Sequence, residues 1–113
     1  MKEIKAYVHR SRVADVIEAI KTSPAWTARR GDAGQHNLTV YAVQGSLAPV
    51  DESERHYSID LGQEVVNEFK LELHCEDDDV AELTASIRAA ARTGQSRAGW
   101  LYVVDIVSAQ VIR

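Results

Sequence analysis

The sequence predicts an α+β fold in which two helices cover one face of an antiparallel sheet. Runs in which apolar residues alternate with polar ones indicate strands near both ends of the chain and in its middle. Two segments with the 3.6-residue period of an amphipathic helix lie between those strands. The resulting order, β-α-β-β-α-β, is typical of a ferredoxin-like sandwich, and residues 1–113 are expected to form a single domain.

Composition excludes several classes of protein. The chain has 113 residues, 45% of them hydrophobic, with a formal net charge of −4. This acidic balance argues against nucleic-acid binding and against adsorption to anionic membranes. Cys75 is the single cysteine, which excludes an intramolecular disulfide, and no signal peptide or membrane-spanning apolar stretch is present. We therefore expect a cytoplasmic protein without direct membrane insertion.

The first strand and the first helix are predicted from Ile4 to Thr22. Ile4, Ala6 and Val8 alternate with polar residues, and Val13–Ile20 carries apolar residues on one helical face after Ser11, the predicted cap. Pro24 should end the helix. The polar segment 24–37 is then predicted to be a long connection, either a disordered surface insertion or a functional loop.

The remaining elements follow in the same way. A strand over 38–45 leads into a long loop, 46–63, whose acidic middle is expected to protrude into solvent. A strand over 65–75 follows, and then the carboxylates of 76–79 are expected to cap a helix over 80–91 that stops at Gly94. The strand 100–106 and a short extended tail, 108–113, complete the prediction.

The strand patterns also predict an oligomer. In the last strand Leu101 and Val103 point to one face, whereas Trp100, Tyr102 and Val104 point to the other. Two helices cover only one face of a sheet, so the second apolar face would be wet in a monomer. Large exposed apolar patches mark interfaces, and we expect copies of the chain to pack through their sheets.

The segment between the second helix and the last strand is the candidate site. Gly94 and Gly99 bound a short loop whose backbone N–H groups can form an anion-binding concavity. Arg92 and Arg97 add forked cationic donors suited to phosphate. Spacing of this kind also occurs in ordinary turns, so both interpretations stand on the residues alone.

Several segments match one family. They are Met1–Ala6 with Val13–Ile20, Leu38–Val40, Val43–Gly45, Phe69–Leu73, and Ala91-Arg92-Thr93-Gly94 followed by Gly99 and Leu101–Val103. Through these segments the chain resembles, nearly end to end, the P-II nitrogen-regulatory signalling proteins. The resemblance implies a ferredoxin-like homotrimer, not an enzyme, that binds adenine nucleotide in clefts between subunits. A flexible T-loop, here 46–65, would dock on a target protein, and a B-loop, here 93–100, would cradle phosphates.

The resemblance assigns ligand-binding roles to individual residues at matching positions of this chain. Thr39, Gly45 and Ser46 resemble the adenine pocket, and Arg113 takes the place of a C-terminal phosphate-binding arginine. The residues that correspond to the phosphate-binding B-loop are Thr93, Gly94, Arg97, Ala98 and Gly99, in which Arg97 would supply a displaced cation.

The departures from the family pattern refine the expected ligand. The family's Gly-Asp-Gly-Lys is Arg97-Ala98-Gly99-Trp100 here, and Val111 replaces the first C-terminal arginine. The glutamine that joins Mg-ATP and 2-oxoglutarate binding falls at Pro49, and a nearby lysine falls at Glu68. Leu61 stands where the modified tyrosine would be. These losses favour ADP or AMP over Mg-ATP with 2-oxoglutarate, as in divergent P-II-like proteins found beside membrane transporters, and we expect a transporter as target.

Three alternatives remain open. One is a metal-tolerance trimer of the same architecture that works through histidines and Cys75, although His74 and Cys75 face opposite sides of a strand and no metal is expected. Another is a P-II-shaped adaptor that has lost nucleotide binding. The third is a small hydrolase resembling acylphosphatase. That chemistry needs an arginine and an asparagine at a phosphate-binding loop, and Asn37 and Asn67 are not placed to supply the asparagine. Cys75 is predicted to be a buried small hydrophobe, and the acidic residues of the long loop to be solvated.

Overall fold

A computed structural model describes residues 1–28 and 36–113. The predicted strands and helices are present, together with a short second helix and a short additional strand. In chain order the elements are β1 (Lys2–His9), α1 (Val13–Thr22), α2 (Pro24–Thr27), β2 (Thr39–Gly45), β3 (His56–Ser58), β4 (Gln63–Cys75), α3 (Val80–Ala90) and β5 (Trp100–Asp105), with 3-10 turns at Glu52–Glu54 and Asp77–Asp79.

The strands form an antiparallel sheet in the order β2-β4-β1-β5. Ile4 of the central strand β1 lies opposite Leu73 of β4 and opposite Val103 of β5. β4 continues past the sheet, where Tyr57 of β3 pairs with its Glu64. This topology confirms the predicted ferredoxin-like α+β class.

The core lies between the sheet and the two long helices. Residues of β1 and β4 alternate between this buried side and an open side, as the period-2 pattern predicted. Burying each large aliphatic side chain stabilises the fold by about 1.5–3 kcal/mol. The core members are Ile4, Ala6, Val8, Val16, Ile20, Ala25, Leu71, Leu73, Cys75, Leu83 and Ile87.

The start of α1 differs from the prediction. Arg12, not Ser11, is the N-cap residue, and it makes no side-chain capping bond. The Ser11 hydroxyl instead lies 2.7 Å from Nδ1 of His9. The end of the helix agrees with the prediction, since Ser23 is extended ahead of Pro24.

Segment 24–37 is not simply a surface insertion. It begins with the short helix α2, in which Ala25 is buried, and Trp26 stacks on His36 with ring centroids 4.7 Å apart. His36 is buried at 3% exposure and exchanges a backbone hydrogen bond with β4, since His74 N–H donates to its carbonyl at 2.9 Å. The prediction for 29–35 lies outside the described residues.

The long loop is more ordered than its polar composition suggested. Asp51 and Glu54 form a capping box around the 3-10 turn, in which Ser53 N–H donates to the Asp51 carboxylate at 2.9 Å. β3 then pairs with β4 as a hairpin. The tail 108–113 has no regular structure, and β3 is an additional strand within the segment predicted to be a loop.

The end of α3 also corrects the prediction. The helix ends at Ala90, with Ala91 as its C-cap, and Gly94 lies in the following turn at φ 88°. Its left-handed backbone explains the glycine, although this glycine does not terminate the helix. The prediction that the carboxylates of 76–79 cap α3 is wrong as regards side-chain bonds: its N-cap residue Asp79 makes no capping bond, Glu76 makes none to the preceding 3-10 turn, and Asp77 pairs with the amino terminus at 2.9 Å.

The face of the sheet opposite the helices is open. Trp100 and Tyr102 of β5 are 51% and 47% exposed on it, beside Tyr7, whose ring contacts Tyr102 edge to face at 6.0 Å. Packing of copies through this face therefore stays a prediction. Among the described residues no helix is both long and apolar enough to cross a membrane.

Burial gives Cys75 a testable property. The side chain is 2% exposed, and burial, followed by the nearby carboxylates, raises the pKa of its thiol to about 11. Because the thiolate is the reactive form, alkylation of Cys75 at about pH 8 should be at least roughly 100-fold slower in native protein than in denaturant. Mass spectrometry after timed iodoacetamide exposure measures this, and equal native and denatured rates would contradict the burial.

Candidate functional site

The B-loop, residues 93–100, is a turn held by its own side chains. The Thr93 hydroxyl donates to Oε1 of Gln95 at 2.7 Å, and Gly94 adopts the left-handed conformation. Gly99 has a different role: a Cβ there would collide with the backbone carbonyl oxygen of Tyr7 on β1. The fold itself therefore requires Gly99, so this glycine is not by itself a sign of phosphate binding.

Gln95 joins this loop to the root of the T-loop. Its side-chain amide donates to the carbonyl oxygens of Ala48 and Pro49 at 3.1 and 3.0 Å. The same side chain accepts from Thr93. Sequence reasoning missed this residue, because nothing in the local pattern shows that positions 48 and 95 meet. One amide therefore couples the candidate phosphate loop to the candidate docking loop.

A cavity of about 460 Å³ lies beside the B-loop, between β1 and α3. Arg88 and Arg92 supply cationic groups to its wall, next to Gln95, Ala98 and Gly99. Its volume falls in the range of small-ligand pockets. The predicted Arg97 lies nearby, with its guanidinium carbon 5.6 Å from the centre of the Trp100 ring.

A second cavity of about 460 Å³ opens on the uncovered face of the sheet, at the root of the T-loop. Gly45 and Ser46 line it together with Glu68 and Lys70. Four aromatic side chains complete much of the wall, namely Tyr7, Tyr41, Trp100 and Tyr102. Tyr7 and Trp100 also line the first cavity, so the two cavities adjoin.

The predicted site residues are thus distributed over two neighbouring places. Ala98 and Gly99 line the first cavity, and Gly45 and Ser46 line the second. The other predicted residues line neither of these two cavities: Thr93 and Gly94 lie in the B-loop turn, Arg97 lies over Trp100, Thr39 is exposed on β2 and Arg113 is exposed at the end of the tail. Their role as ligand contacts stays a prediction.

Glu68 has the most unusual environment in the second cavity. It is 5% exposed, and within residues 1–28 and 36–113 its carboxylate accepts one hydrogen bond, from the N–H of Leu47 at 3.2 Å. Burial raises the pKa of Glu68, and the Leu47 donor opposes that effect only in part. Gly45 accommodates this carboxylate, since a Cβ at that position would overlap the carboxyl group of Glu68.

Lys70, by contrast, is already neutralised. Its ammonium lies 2.9 Å from Glu72 Oε1 and 5.3 and 5.4 Å from the ring centres of Tyr41 and Tyr7. The hydrogen bond to Glu72 raises the pKa of Lys70 and lowers the pKa of Glu72. Tyr41 adds a hydroxyl bond to Glu72 at 2.7 Å. The cavity therefore combines a satisfied ion pair with a carboxylate that has no cationic partner among the described residues.

A further polar cluster fixes the loop beyond its root. Glu54 Oε2 lies 2.5 Å from His9 Nε2, and Glu54 Oε1 accepts the N–H groups of Val50 and Asp51 at 2.9 Å each. The capping bond from Asp51 lowers the pKa of Glu54. Glu54 is largely buried, so the prediction that the loop carboxylates are all solvated is wrong for this residue.

Ser11 makes this cluster a Ser-His-Glu arrangement, which the sequence did not reveal. The Nδ1 of His9 also accepts the Ser11 backbone N–H at 3.1 Å, so Nε2 carries the proton donated to Glu54. These contacts hold the loop against the end of β1. The described residues contain no group of three or more histidine, cysteine, aspartate or glutamate side chains that could hold a metal ion.

The burial of the Glu68 carboxyl group leads to a prediction about the pH dependence of stability. Because its folded pKa is raised, it favours folding most below the pKa of the unfolded chain, and that contribution is lost as the pH rises through the folded pKa. Glu68→Gln should therefore gain stability relative to wild type as the pH rises from about 4, the ordinary pKa of a glutamate, to the range in which the folded carboxyl group is ionised. Urea unfolding measures this difference.

Glu64→Gln is the matched control, because Glu64 is exposed on the same strand. Its stability relative to wild type should change little over that interval. An equal pH dependence in the two variants would show that burial of the Glu68 carboxylate carries no cost.

Comparison with known proteins agrees with this geometry. The whole chain, residues 1–113, matches the family model described as nitrogen regulatory protein P-II. It is 25% identical over 113 residues to the nitrogen regulatory protein P-II 1 of Methanothermobacter thermautotrophicus (strain Delta H), a match that covers 100% of this chain and 90% of that relative. With its antiparallel βαββαβ sheet and a long loop emerging between β2 and β4, the chain belongs to the nitrogen regulatory protein P-II family.

Proposed function

We propose that this P-II family member is a non-catalytic signalling protein whose T-loop responds to an adenine nucleotide bound at the B-loop. The observation that carries the proposal is the Gln95 amide, which bonds Ala48 and Pro49 at the root of the T-loop. A phosphate group that recruits B-loop N–H groups would change the position of Gln95. It would thereby favour one arrangement of the T-loop over another, since a ligand shifts an equilibrium by its unequal affinity for the two states.

The charges near the site support a nucleotide with few phosphates. Arg88 and Arg92 line the B-loop cavity, and Arg97 lies close by, so cations are available for one or two phosphates. At the root of the T-loop, however, the Glu68 carboxylate faces the adjoining cavity. An added γ-phosphate or a 2-oxo acid would meet that negative charge. We therefore propose ADP or AMP as the effector, in preference to Mg-ATP with 2-oxoglutarate.

Exposed surfaces support a proposed assembly and a proposed type of target. A homotrimer packed through the open face would cover Trp100 and Tyr102, and would place nucleotide between neighbouring subunits. The hairpin tip of the T-loop exposes Ile59, at 88%, together with Tyr57 and Leu61. These apolar side chains suit docking on a protein target. We propose a membrane transporter as that target, in keeping with the departures in the ligand loops.

Calorimetric titration tests the nucleotide. The full chain is titrated with ATP, ADP, AMP and cyclic AMP, with and without magnesium and bicarbonate. We expect micromolar binding of ADP or AMP, about one per subunit, and weaker binding of Mg-ATP that 2-oxoglutarate does not improve. Absence of binding by all four would favour the alternative of a P-II-shaped adaptor without a nucleotide site.

Arg97 is the residue to change first. Arg97→Ala removes a cation from the B-loop without altering a glycine that the fold requires, whereas any side chain at Gly99 would disturb the contact with Tyr7. A charge-assisted contact to phosphate is worth about 1.5–3 kcal/mol, so ADP affinity should fall roughly tenfold or more. Calorimetry under the same conditions gives the ratio.

Lys21→Ala is the matched control. It also removes one positive charge, but Lys21 is exposed in the last turn of α1. The opposite end of α1 is the one near the B-loop, since Arg12 there donates a hydrogen bond to the carbonyl of Ala90 at the end of α3. Its ADP affinity should equal that of wild type. Equal losses in both variants would mean that general charge, and not a contact from Arg97, determines binding.

A further inference from the structure

The Ser-His-Glu arrangement at the end of β1 lies outside both cavities, since none of its three members lines either of them. The Ser11 hydroxyl lies 2.7 Å from Nδ1 of His9, and Nε2 of His9 lies 2.5 Å from Oε2 of Glu54. His9 is 8% exposed, whereas Ser11 is open to solvent. The proposed response to nucleotide makes no use of the chemistry of these three side chains.

The hydrogen bonds indicate which atoms carry the protons. Nδ1 of His9 also accepts the backbone N–H of Ser11 at 3.1 Å, so this ring nitrogen is the unprotonated one. Nε2 then donates its proton to the Glu54 carboxylate. The Ser11 hydroxyl is therefore bonded to a basic nitrogen. A hydroxyl that contacts a base, with the base oriented by a third group, is the arrangement of an activated nucleophile.

Glu54 is itself held, which keeps the imidazole in this orientation. Its Oε1 accepts the N–H groups of Val50 and Asp51 at 2.9 Å each, and its Oε2 lies 3.4 Å from Nε of Arg10. A carboxylate in this place stabilises the imidazolium that forms when His9 takes up a proton. The two ring nitrogens exchange the positions that they have in serine proteases, but either nitrogen can act as the base.

The strand-to-helix turn places Ser11 just before the start of α1. His9 is the last residue of β1, and the helix begins at Val13. Its N-cap residue, Arg12, makes no side-chain capping bond within the described residues. The first N–H groups of a helix have no partner inside the helix, and this end of the helix dipole favours negative charge. Backbone donors of this kind suit the oxyanion that forms when a hydroxyl attacks a carbonyl carbon.

We propose that Ser11 is a modification site, at which an activated carboxylic ester transfers its acyl group to the protein. Oγ of Ser11 attacks the carbonyl carbon of the ester while the hydroxyl proton passes to Nδ1 of His9. The bond from that carbon to the leaving oxygen then breaks, and the leaving alcohol takes the proton from Nδ1. The products are an ester on Ser11 and the free alcohol. This site goes beyond the proposed function and does not depend on nucleotide binding.

The reaction stops at one acyl group on Ser11. In the free protein the hydroxyl and the backbone N–H of Ser11 share the lone pair of Nδ1. After acylation the hydroxyl proton is gone, and the backbone N–H alone occupies that lone pair. Nδ1 is then not free to activate a water molecule, so the ester persists.

Acylation of Ser11 acts on the T-loop. The modification removes the hydroxyl hydrogen bond to His9, and His9 in turn is bonded to Glu54. Glu54 receives the N–H groups of Val50 and Asp51, so this chain of contacts ties the middle of the loop to the end of β1. We therefore expect an acyl group on Ser11 to loosen segment 50–54 in the absence of nucleotide.

Acetylation by p-nitrophenyl acetate tests the proposal on the full chain near neutral pH. Peptide mass spectrometry after timed exposure locates the acetyl groups and gives the rate at each position. We expect Ser11 to be acetylated first among the serines, to about one group per chain. A positioned base contributes about 10²–10⁴-fold to such a step, so the rate at Ser11 should fall at least roughly 100-fold in denaturant.

His9→Gln should lower the rate at Ser11 by a similar factor, because glutamine keeps a hydrogen-bonding side chain but supplies no base. Ser108→Ala is the matched control, since it removes an exposed serine of the tail and should leave the rate at Ser11 unchanged. Hydrogen–deuterium exchange of segment 50–54 should increase after acetylation of wild type. Ser11→Ala treated in the same way should show no increase, which controls for acetylated lysines.

Equal acetylation rates at Ser11 and Ser108 in wild type would overturn the proposal, and this comparison needs no variant to fold. An unchanged rate at Ser11 in His9→Gln would also overturn it. Continued release of p-nitrophenolate that Ser11→Ala abolishes would show turnover and would contradict a single, persistent modification. The ADP titration is run separately, since absence of ADP binding bears only on the proposed function and absence of acetylation at Ser11 bears only on this site.

Discussion

Strand β4 is the element on which the remaining structure depends. Its residues 68–75 pair with β1, its residues 66–72 pair with β2 on the opposite edge, and its first residues, 63–65, pair with β3. Alternation along a strand sends Leu71 and Leu73 into the helix-covered core and Glu68 and Lys70 to the open face. A slip of one residue would exchange these faces. The register of β4 therefore fixes both the core and the cavity at the root of the T-loop.

The loops are joined to this frame by a few polar contacts. Gln95 connects the B-loop to Ala48 and Pro49, Leu47 bonds to Glu68, and Glu54 reaches His9 at the end of β1. At the hairpin tip beyond them, Tyr57, Ile59 and Leu61 are exposed and bury little apolar surface. Segments held this way open at low free-energy cost, which is the property that a ligand-responsive docking loop needs.

The sequence predicted the strands and helices, whose positions depend on hydrophobic periodicity. The alternation around Ile4 and Leu71 and the helical face that includes Val16 determine the sandwich, because burial of one face decides each element. Polar contacts between distant positions were not predictable. The bonds from Gln95 to Pro49 and from His9 to Glu54 depend on how loops meet in space, and no spacing encodes that.

The glycines of the candidate site also differ in whether the sequence or only the structure explains them. Gly94 has the positive φ that a turn requires, as expected from its position. The need for Gly99 comes instead from a close neighbour, the Tyr7 backbone carbonyl, whereas a Cβ at Gly45 would meet only the flexible end of the Glu68 side chain. The family resemblance predicted where the loops lie along the chain, whereas the chemical character of the cavity came from the burial of Glu68, which the sequence pattern did not predict.

The central claim is that nucleotide at the B-loop acts on the T-loop through Gln95. Hydrogen–deuterium exchange of residues 46–62, with and without saturating ADP, tests it in wild type, in Gln95→Ala and in the exposed control Gln63→Ala. We predict that ADP changes the exchange of this segment in wild type and in Gln63→Ala but not in Gln95→Ala. An ADP-induced change of the same size in Gln95→Ala, or no change in wild type at saturation, would contradict the account.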